Sequence, residues 1–198
     1  NSFGQYSRFI SYAKSNNIEI EKETEKRFFT YLVYHQNEIS FPKKIRANEF
    51  ESFMYGLDAL TFVESIIFSN ISNIDIFQQL NTFYSTLFED PSKYIKNGRS
   101  KETPSDYQFS IRENIRHLCF KKIKMTKNFD EFLRRLDSGQ IKHNLTGLSF
   151  DNMKLIENDF YMIDKLVRSI NSNQGNNKLK SLSFNASLNE DQFNYFIS

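Results

Sequence analysis

LTGLSF at residues 145–150 and LKSLSF at residues 179–184 share four of six letters in one register, 34 positions apart. In each, apolar residues fall at the first, fourth and sixth positions: Leu145, Leu148 and Phe150, then Leu179, Leu182 and Phe184. The last three residues of each copy alternate apolar and polar, the pattern of a strand with one buried face. Phe160, Ile163, Leu166, Val167 and Ile170 lie between the copies at helical spacing. The order strand, helix, strand predicts two parallel strands joined by a crossover helix, a unit of right-handed sense. On the strand faces turned away from that helix, Gly147, Ser149 and Asp151 would stand beside Ser181, Ser183 and Asn185. These six are the candidate binding residues, because successive strand side chains point to opposite faces.

Upstream of residue 140 the apolar spacing reads as helix throughout. Tyr6, Phe9, Ile10 and Ala13 line one side of a short helix, and Phe28, Phe29, Leu32 and Val33 form the stripe of a second, whose first turns carry Glu19, Glu21 and Glu23. Acidic groups favour that end of a helix dipole. After Pro42, Asn48 and Glu51 have the spacing of a reciprocal N-terminal cap. Phe50, Phe53, Met54, Leu57, Leu60, Val63, Ile66 and Ile67 then keep a helical period to about Phe68, predicting a long central helix. Ile76, Phe77, Leu80, Phe83, Tyr84 and Leu87 repeat the pattern. Residues 89–105 are polar with Gly and two Pro and read as a loop, after which Ile111, Ile115, Leu118, Cys119 and Ile123 would share the face of another helix. Phe129, Phe132, Leu133 and Leu136 predict a last short helix, ended by Gly139 in the left-handed conformation. The expected fold is therefore mainly α: an N-terminal helical bundle over residues 1–140, followed over 141–198 by one to two α/β repeats with a short parallel sheet.

Composition agrees with an aromatic core. The 198 residues include 21 Phe and 10 Tyr but no Trp, and only six Gly and three Pro, too few for an all-β fold with many tight turns. A formal net charge of +2 sets up no global field demanding a nucleic acid or a membrane. The single Cys119 excludes an internal disulfide framework and fits a reducing compartment. No apolar run approaches the roughly 18 residues that span a bilayer. A cytoplasmic protein is expected.

Leu145, Leu148 and Phe150, followed by Met153 and Leu155, resemble the strand and turn of a leucine-rich repeat, L-x-x-L-x-L-x-x-N-x-L, with Phe in one Leu slot. The nearest class is that of the ribonuclease-inhibitor-like repeats, which pair each strand with a full helix, and the resemblance covers residues 141–198. The sequence departs from that pattern at three places. Met153 and Ser187 occupy the turn position of the asparagine, Asn189 stands where the first copy has Leu155, and NSNQGNN (171–177) lengthens the period. The resemblance implies a solenoid that offers an open sheet face to another protein. About three such repeats are normally needed to cover one another, so the helices of the first 140 residues are expected to close one end. The other end is expected to continue in a longer chain, an expectation shared by a sequence that begins at Asn1, or to self-associate through its open edge. The bias toward Asn, Lys, Ile and Phe is similar to that of secreted effectors of intracellular bacteria, Legionella among them, which would place the protein in a host cytoplasm.

Other chemistry is sparsely signalled. Arg112, Arg116, Lys121, Lys122, Lys124 and Lys127 make the sharpest local bias of charge, read as the solvated face of a helix, with nucleic acid or anionic lipid as the lesser expectation. On that helix His117 and Cys119 would point about 200° apart, which excludes a joint dyad or metal site. No phosphate-binding glycine loop and no nucleophile elbow is present. Neither a cofactor nor a metal is implied. The sequence reads as an adaptor or recruiter; the alternative is an enzyme, or a helical domain targeting anionic lipid or nucleic acid, with the repeats as substrate selector.

Overall fold

A computed structural model describes residues 2–57, 60, 62–89, 115–140, 144–171, 178–185 and 194. The elements, in chain order, are α1 (Ser2–Ser15), α2 (Lys22–Val33), β1 (Glu38–Ser40), α3 (Ala47–Leu57), β2 (Ser65–Ser69), α4 (Ile76–Glu89), β3 (His117–Lys121), α5 (Lys127–Asp137), β4 (Gly147–Asp151), α6 (Glu157–Asn171) and β5 (Ser181–Asn185). All five strands are parallel and pair in sequence order, β1-β2-β3-β4-β5. The fold is α/β. The expected mainly-α fold with an N-terminal helical bundle is thus corrected, since β1, β2 and β3 lie within the first 140 residues and hydrogen-bond into the same sheet as β4.

Two expected helices were strands for one physical reason. A strand covered by helices can carry apolar residues in near-continuous runs, and such a run mimics helical spacing over a few residues. The expected central helix ends at Leu57, and Ser65–Ser69 is β2 instead, where the β-branched pair Ile66-Ile67 suits extended backbone. The expected helix carrying Leu118 and Cys119 is β3. Its members Ile111 and Arg112 lie outside the described residues. So does nearly all of the expected loop over 89–105.

The register explains the core. Ile39, Ile66, Leu118, Leu148 and Leu182 form one row across the sheet. A second row is aromatic: Phe41, Phe68, Phe120, Phe150 and Phe184 follow one another with ring centroids 5.1, 5.6, 5.5 and 5.2 Å apart. The last three of these contacts are stacked, at 14–15° between planes. Offset stacking of this kind adds about 0.5–1.5 kcal/mol per pair beyond area burial. The helices close this face by inserting their own rings near their first turns. Phe50 of α3 lies 4.8 Å from Phe41, Phe77 of α4 4.8 Å from Phe120, and Phe129 of α5 5.5 Å from Phe150. Before β1, α1 and α2 pack on α3 through Phe9, Phe28 and Phe53. At Gly56 a Cβ would come within 2.7 Å of the Phe28 ring, so only glycine lets α2 approach α3 this closely.

The turn after each strand repeats as well. Asn70, Lys122 and Asn152, each the first residue past its strand, have φ of 54, 51 and 53°. Asparagine tolerates this left-handed region better than most residues; lysine does not share that preference. Each donates its amide across to the next strand, to Lys121, Asp151 and Asn185 at 2.9, 3.0 and 2.7 Å. One residue further on, Ile71, Ile123 and Met153 are buried. The Ile123 amide meets the Met153 sulfur at 3.4 Å, so an apolar row occupies the place of an asparagine ladder.

Helix starts are held by acids. The expected cap by Asn48 and Glu51 is replaced by Glu49, which accepts from the Arg46 amide at 3.1 Å and from the Glu21 amide at 2.8 Å. Asp159 does the same for the Ile156 amide of α6 at 2.7 Å. Asp75 accepts from the Gln78 amide at the start of α4, and Thr126 and Asn128 of the next unit both bond its other oxygen. Gly139 ends α5 with φ of 71°, as expected, its amide bonding the Leu136 carbonyl at 3.3 Å.

Candidate functional site: the open face of the sheet

Residues of the opposite parity form the second face of the sheet. Glu38, Ser65, His117, Gly147 and Ser181 make its first row, Ser40, Ile67, Cys119, Ser149 and Ser183 its second, and Ser69, Lys121, Asp151 and Asn185 its third. The six expected binding residues fall here as three facing pairs: Gly147 with Ser181, Ser149 with Ser183, and Asp151 with Asn185. Exposure rises toward the last strand, where Ser181, Ser183 and Asn185 are exposed while Gly147 is buried.

Gly147 is buried by its neighbours' side chains. A Cβ there would stand 2.8 Å from Ser181 Oγ and 2.9 Å from the His117 ring. Freed of that obstacle, His117 leans across β4 and its Nε2 meets Ser149 Oγ at 2.8 Å. This spacing would suit a base and a nucleophile. Among the described residues, however, no carboxylate bonds the other ring nitrogen, so the pair fixes side-chain positions on an open surface. The expectation that His117 and Cys119 point apart is corrected, because on a strand residues two apart share a face. Burial pushes the Cys119 thiol up from its ordinary value, Asp151 and Glu38 add to this, and Lys121 opposes it. The thiol therefore stays protonated near neutrality and is a poor nucleophile.

The third row ends in a polar groove of about 430 Å³ lined by Lys121, Lys122, Asp151, Asn152 and Asn185. Lys121 Nζ lies 3.0 Å from Asp151 Oδ2, and Asn185 donates to Asp151 Oδ1 at 2.9 Å. The Lys121 ammonium holds the Asp151 carboxyl below the usual carboxylate range, with Asn185 and Lys122 reinforcing it against desolvation.

The expected basic helix face does not exist as such. Arg116 precedes β3 at one end of the strand, whereas Lys121 closes it at the other, Lys122 and Lys124 lie in the turn that follows, and Lys127 opens α5. Arg112 lies outside the described residues. What sequence reasoning missed is that SIIFSN (65–70) and HLCFKK (117–122) are copies of the quoted motif, so that Ser65, Ser69, His117 and Cys119 extend the open face. The available signal was a Phe three residues past the strand's first residue in every copy.

The chain matches no family model, no curated protein and no solved structure. No helix of the described residues is long and apolar enough to cross a membrane.

Proposed function

We propose that the protein is a recruiter, a leucine-rich-repeat-like module that binds another protein on the open face of its sheet. One observation carries this reading: among the described residues the unbroken parallel register leaves one face of the sheet without helices and lines it largely with small polar side chains from successive strands. Small side chains let a partner approach the strands closely, and the hydroxyls and amides of Ser149, Ser181, Ser183 and Asn185 both donate and accept. The turns after β2, β3 and β4 support the same reading, since each combines a left-handed residue with a buried apolar one at matching positions. They depart from the family pattern by using Ile71, Ile123 and Met153 in place of asparagine. A host cytoplasm, with delivery by an intracellular bacterium, is the setting in which the bias toward Asn, Lys, Ile and Phe and the single thiol fit together.

Affinity capture from lysate with the native chain and with Ser149→Arg/Ser183→Arg tests the reading. A specific partner is expected on the native chain and absent from the variant, because two long cations on adjacent strands block close approach. Equal retention by both proteins, or no partner on either, removes the open face from the account.

A further inference from the structure

Three acids near the helix starts are met by a cation or by donors of a neighbouring unit: Glu49 by Arg46, Asp75 by Thr126 and Asn128, and Asp151 by Lys121 and Asn185. Asp130 and Asp159, in the first turns of α5 and α6, are placed differently. Asp159 is 2% exposed and accepts from the Ile156 amide at 2.7 Å. The side-chain amide of Asn158 reaches across to Asp130 Oδ2, tying the start of α6 to the start of α5, while Asp130 Oδ1 is buried with no hydrogen-bond partner among the described residues. Neither acid belongs to an ion pair among those residues. The charges nearest in the two units are Lys124 and Lys127 before Asp130, Glu131 and Arg134 after it, and Lys154 and Glu157 before Asp159. Arg134 is bonded to Glu131, the three lysines are exposed, and Glu157 adds a further negative charge. On α4, which packs on the other side of α5, the acid at the helix start is Asp75, already bonded.

We infer that the junction of α5 and α6 is an acid-tightened joint: Asp130 and Asp159 oppose each other as carboxylates near neutrality, and the two units hold together more firmly once one of the pair takes a proton. Like charges that share a partly dry site disfavour each other's ionised form, and a protonated carboxyl gains a donor where the carboxylate had none. Burial pushes the Asp130 carboxyl up against the opposing Asn158 amide. Burial pushes Asp159 up as well, the Ile156 amide opposes this, and the charge of Asp130 adds to it. Both folded values therefore stand above the unfolded value of about 3.9, so the cost of the pair is present near neutrality and shrinks as pH falls through the folded values. Glu49 works in the opposite sense, so acid loosens the start of α3 while it tightens this joint. The same two units are bridged on the open face by His117 and Ser149.

Carbon-13 NMR titration of the aspartate carboxyls in the native chain tests the pair without any substitution, and both are expected to titrate above the ordinary value of about 3.9. Asp130→Asn keeps an acceptor for Asn158 and removes one charge. Its urea midpoint should lie above that of the native chain at about pH 7.5, and the gap should narrow by about pH 4. In the same variant the titration of Asp159 should move to lower pH, because the opposing charge is gone; burial alone would leave it in place. Titration of both acids at or below the ordinary value, a variant midpoint at or below the native one near neutrality, a gap that does not change with pH, or an unmoved Asp159 would overturn the proposal.

Discussion

The two faces of the sheet are built from the same strands, residue by residue in alternation, yet they obey different rules. The inner face is a stack of rings and branched chains that is buried from β1 to β4 and half-buried at Leu182 and Phe184 of β5, so its residues are chosen by volume. The open face is made chiefly of serines, with one cysteine, one histidine, one glycine, Ile67, Glu38, Asn185 and the Lys121–Asp151 ion pair, so most of its residues protrude little. The contrast teaches that stability and recognition occupy opposite sides of one backbone here, and that a substitution's effect is set by the parity of its position.

Substitutions of either parity sharpen that contrast. Phe120→Ala removes a buried ring in contact with Phe68, Phe77, Phe132 and Phe150, and should cost about 3–5 kcal/mol in urea unfolding. Gly147→Val tests the one open-face site where packing matters. The new side chain collides with His117 and Ser181, so a loss of about 1–3 kcal/mol is expected, and His117→Ala in the same chain should recover part of it.

The two engaged acids provide the next comparison. Burial pushes the Glu49 carboxyl up, but the Arg46 guanidinium and the amides of Glu21 and Arg46 outweigh it and hold the group below its ordinary value. A depressed carboxyl stabilises the fold above its unfolded value of about 4.3 and loses that contribution as pH falls through the folded one. Glu49→Gln should therefore lower stability by about 1–3 kcal/mol near neutrality. Its urea midpoint should converge with that of the native chain only in acid below the folded value. Asp151, similarly depressed but exposed to solvent, should behave differently: Asp151→Asn is expected to leave the midpoint unchanged within error. Ser149→Ala, which removes one hydrogen bond to His117, should likewise have a small effect, shifting stability by no more than about 1 kcal/mol. A larger loss there than at Phe120 would break the division between the faces.

How much of this was legible in the sequence depends on where alternation survived. At residues 145–150 and 179–184 serines interrupt the apolar positions, so a two-residue period was visible and β4, β5 and their open-face pairs followed from it. At 65–69 the open-face position holds Ile67 between Ile66 and Phe68, which erases the alternation and lets the run merge with the apolar stripe of α3. Around 117–121, Ile115 and Ile123 sit at helical distances from Leu118 and Cys119, and the surrounding lysines masked the kinship of LCF with LSF. The groove was illegible for a different reason. It assembles turns far apart in sequence, and only the register of the sheet brings those turns together.

That register has a consequence for how the molecule comes apart. Each strand exchanges hydrogen bonds only with its immediate neighbours, so loosening travels along the row from its ends, as a zip opens, instead of striking the whole at once. Amides of β3, flanked on both sides, should be the last to yield their protons to deuterium, and those of β5 among the first. A partner that grips several turns at once would fasten the zip along its length.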